Sequence, residues 1–226
     1  MNYVKRLYYW ILDYVYYLKS VFSSAARMVN AEDFKNSGGH PVIIIPGVYE
    51  SWRFMLPIIR VLRLQGYDVH IIDGLGYNRG TIEDMAEVVL EYITTSSLGN
   101  VSLVTHSKGG LIGKFLLGMD SDAVLFDVLI ALNTPFSGSI YAYALPFKSL
   151  RIFTPRSRMI QFLADNKVGN NRIVSIYGIF DPHIPKGSYL EGAQNRQIHS
   201  SYGHFRPVNN TRVHEAITDT LNTLAD

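Results

Sequence analysis

An α/β fold, with a mainly parallel sheet of about six strands and helices on both faces, is predicted by three observations. Short runs that are apolar on both faces, such as Pro41-Val-Ile-Ile-Ile45, have the composition of buried parallel strands. Helix signals alternate with these runs along the chain. At residues 101–116 an apolar β-branched run enters a small-residue turn and leaves as an apolar helix: Val-Ser-Leu-Val-Thr-His-Ser-Lys-Gly-Gly, then Leu111, Ile112, Phe115 and Leu116.

Residues 1–39 read as an aromatic amphipathic helix and a polar linker (Asn30–Gly39), and residues 40–226 as one α/β domain. After the strand at 41–45, Pro57 in a first turn, Ile58, Val61 and Leu62, with Gly66 as the stop, mark a helix. Tyr67–Ile72 is the next strand, and Thr81 with Asp84 forms a capping box before a helix carrying Met85, Val89 and Ile93 on one face. Beyond the 101–116 unit come a strand at Val128–Leu132, an irregular region to about Pro155 and a helix near Met159–Leu163. A strand at Ile173–Tyr177 precedes a long loop, and Val213, Ile217, Leu221 and Leu224 mark a last amphipathic helix.

At 226 residues and 47% hydrophobic content, the chain has the material for one large core. It contains no cysteine, which excludes disulfides, thiol nucleophiles and thiolate metal sites and suits a reducing compartment. A net charge of +2 leaves no electrostatic footprint for nucleic acid. All of that excess lies in residues 1–22, where Lys5, Arg6 and Lys19 outnumber the single acid Asp13; the other 18 basic and 18 acidic residues cancel. The longest uncharged run, Val128–Phe147, carries Pro135, Gly138 and Pro146 and does not read as a membrane span. Asp13 inside the run Leu7–Leu18, with no clean cleavage site after it, weighs against a signal peptide; a cytoplasmic, membrane-associated location is the expectation, with export left open.

Ser107 sits at the apex of a strand–turn–helix, the build of a nucleophile elbow. Such a turn presents the serine oxygen in the open, at a helix N-terminus whose free N–H groups face the reaction centre. The positions two before and two after the nucleophile come close together; Gly109 suits that, and Thr105 is a tighter fit. Lys108 is expected to point to solvent. A serine needs a base and the base an orienting acid, in the chain order Ser, acid, His. Asp181 follows the strand at 173–177, in Gly-Ile-Phe-Asp-Pro-His-Ile-Pro, although Asp-Pro is also a common turn pair. His40, His70 and His106 precede Ser107, His183 is too near Asp181, and His214 falls on the outer side of the last helix. His204, in a Gly-containing loop before that helix, is the base candidate, with His199 second. Oxyanion donors would be the backbone N–H groups of Val48 and Lys108, with Gly47 permitting close approach.

These segments together resemble the small bacterial lipases and esterases of the α/β-hydrolase superfamily. Ile-Ile-Pro-Gly-Val resembles their oxyanion segment and Thr-His-Ser-Lys-Gly-Gly their elbow. Leu-Asn-Thr-Pro-Phe-Ser-Gly-Ser (132–139) is similar to their Thr-Pro-His-x-Gly-Ser turn, with Phe136 in place of the usual His. The resemblance spans about residues 40–224. It implies an α/β-hydrolase fold and a Ser107–His204–Asp181 triad hydrolysing carboxylic esters of lipid-like or acyl type through an acyl-enzyme, with no cofactor and no metal. Acyl transfer or thioester hydrolysis would use the same triad. A catalytically idle fold acting as a membrane-associated binding module is the alternative of another class.

The N-terminal segment lies outside that resemblance. Tyr3, Leu7, Trp10, Ile11, Tyr14, Val15, Leu18 and Phe22 share one side of a helical projection. A basic, aromatic stripe of this kind suits a membrane interface, although such stripes more often pack on their own domain or on a second copy. Removing residues before Asn30 is expected to leave triad and oxyanion residues in place. Within residues 138–165, Tyr141, Tyr143, Phe147, Ile152 and Phe153 read as a small apolar cap over an acyl pocket, or as a helix and loop closing the sheet.

Overall fold

A computed structural model describes residues 1–25, 29–120, 124–144 and 146–224. In chain order its main elements are α1 (Tyr3–Ala25), β1 (Pro41–Ile45), α2 (Leu56–Leu64), β2 (Asp68–Ile71), α3 (Ile82–Thr95), β3 (Val101–His106), α4 (Lys108–Met119) and β4 (Phe126–Leu132). There follow α5 (Lys148–Arg151), α6 (Arg158–Asp165), β5 (Ile173–Phe180), β6 (Gln194–Tyr202) and α7 (Thr211–Asn222). The six strands form one parallel sheet in the order β2-β1-β3-β4-β5-β6. The chain enters at β1, steps to the β2 edge, returns to β3 and then builds outward. The strand order therefore reverses between β1 and β3, the place where such sheets open a crevice at their carboxyl ends.

Alternate residues of the central strands feed two cores, which is why their sequences are apolar throughout. Val42, Ile44, Val104 and Ile130 meet α2 and α7 on one face. Ile43, Ile45, Leu103 and Leu129 meet α3 and α4 on the other. The Thr81 capping box forms as its spacing predicts, with Thr81 Oγ1 accepting from Asp84 N–H and Asp84 Oδ2 accepting from Thr81 N–H. β6 occupies part of what the sequence reads as a loop. It is an edge strand whose polar residues (Gln194, Asn195, Arg196, Gln197) carry no apolar run. Leu224, assigned to the last helix, lies beyond its end and is exposed.

Two features of the first 40 residues differ from expectation, and a third, the orientation of α1, settles what the sequence left open. The linker is docked: Ala31–Phe34 forms a 3-10 turn, Phe34 is buried edge-on to Trp52 at 6.2 Å, and Asn36 donates to Gly66 O and Asp68 Oδ1. Helix α1 also turns its predicted apolar stripe outward. Tyr3, Leu7, Trp10, Ile11, Val15, Leu18 and Phe22 are exposed, whereas Tyr9, Asp13, Tyr16 and Tyr17 face the domain. Tyr9 stacks on Tyr202 at 4.1 Å, Tyr16 and Tyr17 each meet Phe54 at 6.1 Å, and Tyr17 packs on Phe205 at 4.4 Å. Aromatic residues cover nearly every side of this helix, so a projection could not tell which side would be covered. Finally, Asp13, the acid inside the apolar run Leu7–Leu18, is fully buried. Residues 138–165 send Ala142, Phe153, Ile160 and Leu163 into the second core and leave Ile140, Tyr141, Tyr143 and Phe147 exposed. Among the described residues no helix is long and apolar enough to cross a membrane.

If Phe34 anchors residues 30–39, Phe34→Ala should lower unfolding free energy by about 3–5 kcal/mol in a urea titration, as buried phenylalanines do. A free linker would lose almost nothing.

Candidate active site

The site lies at the carboxyl ends of β1, β3 and β5. Ser107 leaves β3 with φ +51° and ψ −115°, a strained conformation for a residue with a side chain. Its N–H is tied to Leu132 O at 2.9 Å. The turn forces α4 across the end of β1, where a Cβ on Gly109 would lie 2.2 Å from Ile45 O. Only glycine passes there. Thr105 fits because its hydroxyl donates to Ile130 O on β4, at 3.2 Å. Phe136 is buried in the second core.

Asp181 follows β5, and its Oδ1 accepts from the backbone N–H groups of His183 (2.7 Å) and Ile184 (3.1 Å). Its Oδ2 accepts from His204 Nδ1 at 2.7 Å, and His204 Nε2 lies 2.9 Å from Ser107 Oγ. A carboxylate can only accept, so Nδ1 carries the proton and Nε2 offers its lone pair to the serine hydroxyl. Burial pushes the Asp181 carboxyl up, but the His204 charge, its hydrogen bond and the His183 contacts outweigh it and hold the group below its ordinary value. Burial pushes the His204 imidazole down; the Asp181 charge and hydrogen bond, with the charges of Asp13 and Glu50, lift it above 6.5. His183 packs on His204 at 4.8 Å and is driven to about 3, first by burial and then by the His204 charge. It is neutral beside the site. His199 is exposed on β6, and His214, half-buried instead of solvated, hydrogen-bonds Val208 O through Nε2.

The loop carrying His204 is fixed by residues that sequence reasoning passed over. His204 O accepts from Asn133 Nδ2 (3.0 Å) and from His106 Nε2 (2.9 Å). His106 Nδ1 in turn donates to Glu50 Oε2 at 2.8 Å, and the same oxygen accepts from Gly47 N–H at 2.8 Å. Glu50 thus joins the loop after β1 to the loop before α7. On the third side, Asp13 accepts from the backbone N–H groups of His204, Phe205 and Arg206. Only Asp13 carried a visible signal, an acid inside an apolar helix. A chain starting near Asn30 would keep Ser107, Asp181 and His204 but lose this acceptor of three backbone N–H groups.

Lys108 corrects the expectation that it points to solvent. Its side chain is fully buried, with the stem covered and Nζ donating to Asn78 O (2.9 Å) and Gly80 O (2.5 Å). Burial lowers its pKa to about 8. Asn78 Nδ2 donates to Pro46 O, and Tyr49 N–H to Tyr77 O, so residues 77–80 brace the loop after β1. As the first residue of α4, Lys108 has a backbone N–H with no acceptor inside the helix. Among the described residues no backbone carbonyl takes the Val48 N–H either. A cavity of about 1080 Å³ opens from Ser107 and His204, walled by Trp10, Tyr14, Phe153, Ile179 and Tyr189.

No protein-family profile matches the chain, and no curated protein matches it significantly by sequence. Solved structures do. A lipase of Bacillus licheniformis in its mature form superposes with a TM-score of 0.65 at 16% identity, covering 83% of this chain and 94% of that one. A carboxylesterase structure from the thaumarchaeon Nitrososphaera gargenis gives 0.61 at 11% identity, covering 84% and 93%. Est1E of Butyrivibrio proteoclasticus with ferulic acid bound gives 0.60 at 16% identity, covering 83% and 90%. The chain has the α/β-hydrolase fold, and the structures it resembles include esterases and lipases.

Removing Glu50 leaves His106 and the Gly47 N–H buried without an acceptor. Glu50→Ala should therefore cost about 3–5 kcal/mol of unfolding free energy in urea.

Proposed function

We propose that the protein is a serine hydrolase of carboxylic esters. The observation that carries this is the unbroken hydrogen-bond chain Ser107–His204–Asp181. His204 takes the Ser107 proton as Oγ attacks the ester carbonyl, while Asp181 holds the imidazole and stabilises its charged form. The N–H groups of Val48 and Lys108 receive the oxyanion. The proton passes to the leaving alcohol, and water, again deprotonated by His204, releases the acid from the acyl-enzyme. No step calls for a metal or cofactor. The size of the cavity and its apolar, aromatic wall suit a lipid-like acyl chain.

Ser107→Ala should lose at least about 10³-fold in kcat without unfolding, together with labelling by a fluorophosphonate. Labelling that survives the substitution refutes Ser107 as nucleophile. Asp181→Asn should cost about 10⁴-fold through the wrong tautomer. The base works only when neutral and its pKa is raised, so kcat/KM on a soluble ester should fall on the acid side through a limb centred above 6.5.

Substrate is reached at an anionic lipid surface through α1. Ile11, Val15, Leu18 and Phe22 face away from the domain. Lys5, Arg6 and Lys19 are exposed while the one acid of the helix is buried, which leaves an outer surface that is basic and apolar. Tyr3, Leu7 and Trp10 are exposed and also line the cavity, so the stripe runs into its mouth. The chain should float with phosphatidylglycerol-containing vesicles, less so at high salt. Ile11→Asp with Leu18→Asp, outside the cavity, should stop flotation and leave hydrolysis of a short soluble ester intact. A parent that never floats, or that forms a dimer dispersed by the same pair, refutes the lipid role.

A further inference from the structure

The three residues assigned to catalysis lie on the hydrolase core, but the loop carrying the base is closed by a residue from outside it. Asp13 sits midway along α1 and is the one fully buried residue among those described in that helix. Its Oδ2 accepts from His204 N–H at 2.8 Å, and its Oδ1 accepts from Phe205 N–H and Arg206 N–H, each at 2.9 Å. Gly203 has φ +104°, and a Cβ there would lie 2.2 Å from Asp13 Oδ1. The turn before the base is therefore shaped around this carboxylate. With Asn133 and His106 holding His204 O, the peptide groups on both sides of the base are fixed, one by donors and one by an acceptor.

We propose that Asp13 is a positioning residue for catalysis: the N-terminal helix supplies the carboxylate that holds the His204 loop in register with Ser107 and Asp181. The proposal rests on His204 being the base. A carboxylate is the group this loop requires. Three N–H donors converge on two oxygens, whereas an amide would offer one oxygen and turn donors against donors. Asp13 also adds negative charge behind the imidazole that becomes cationic when Ser107 gives up its proton. The other groups around His204 are Asp181 and His183 after β5, His106 with its partner Glu50, and Tyr14 on α1, 5.6 Å from His183. Of these, Asp181 and Glu50 favour the charged imidazole, as Asp13 does. Removing the Asp13 charge therefore lowers the His204 pKa.

The test uses the full chain with Asp13→Asn and Asp13→Glu, each followed by thermal melting, by fluorophosphonate labelling rate, and by kcat and KM for a short p-nitrophenyl ester across pH. Asp13→Asn is expected to melt cooperatively at a lower temperature and to lose about 10²-fold in kcat, the scale of a displaced catalytic group. KM should change little, and the acid limb should move to lower pH. Asp13→Glu keeps the charge and should keep the parental limb while recovering part of kcat. A folded Asp13→Asn protein with parental kcat and limb overturns the proposal. So do Asn and Glu variants that both fail to fold, which would make Asp13 a residue of general stability. A parent whose labelling does not depend on Ser107 and His204 overturns the catalytic assignment itself. That outcome is distinct from a labelled parent matched in rate by Asp13→Asn, which removes Asp13 alone.

Discussion

The close crossing of α4 over the end of β1 is the constraint from which the site follows. To turn from β3 into α4 within one residue, the chain accepts positive φ at Ser107 and passes Gly109 against the carbonyl of Ile45. That crossing brings the start of α4, with its first free N–H, against the end of β1, from which the loop carrying Val48 departs. It also sets His106, the last residue of β3, beneath the base loop, where both ring nitrogens are used. The strain of one φ/ψ outlier, of order 1–3 kcal/mol, is tolerable because the sheet pairs β3 on both sides and leaves the turn no alternative path.

Around that crossing, buried charge is handled by hydrogen bonds as much as by opposite charge. Glu50 is shared between an imidazole and a backbone N–H, Asp181 between an imidazole and two backbone N–H groups, and Asp13 among three backbone N–H groups. Lys108 finds two carbonyls. Each is a buried ion that would be prohibitive alone and is admitted because its lone pairs or protons are met. For Asp13 burial still dominates and its carboxyl lies above its ordinary value. Such groups define loops more sharply than apolar contacts do, since losing one donor leaves the ion exposed to the full desolvation penalty.

The sheet, its flanking helices and the segments carrying Ser107, Asp181 and His204 were legible because local pattern and chain order carry them. Paired apolar faces read as buried strands, and the elbow is a contiguous string. What was not legible depends on partners distant in sequence. Glu50 meets His106 across 56 residues, and Asp13 meets His204 across 191. Lys108 looked like a surface cation because a helix N-terminus disfavours positive charge; the carbonyls of Asn78 and Gly80, on another loop, reverse that local rule. β6 was obscured by its polarity as an edge strand, and the orientation of α1 by aromatic residues on nearly every side.

The two roles proposed for helix α1 lie on a single rigid element and cannot be separated. Its inner face is held by ring stacking and one carboxylate, and its outer face offers apolar surface and cations with no partner among the described residues. At 1.5 Å per residue and 3.6 residues per turn, Ile11 and Asp13 are fixed relative to each other by the helix itself. A ligand that takes up the outer face of the docked helix favours the docked pose in proportion to its preference for it, and no further. The docked pose is also the one in which Asp13 reaches the His204 loop. Binding on the outside and order around the base are therefore linked through the position of one helix. That linkage is reciprocal: whatever stabilises the His204 loop also stabilises the surface that α1 presents.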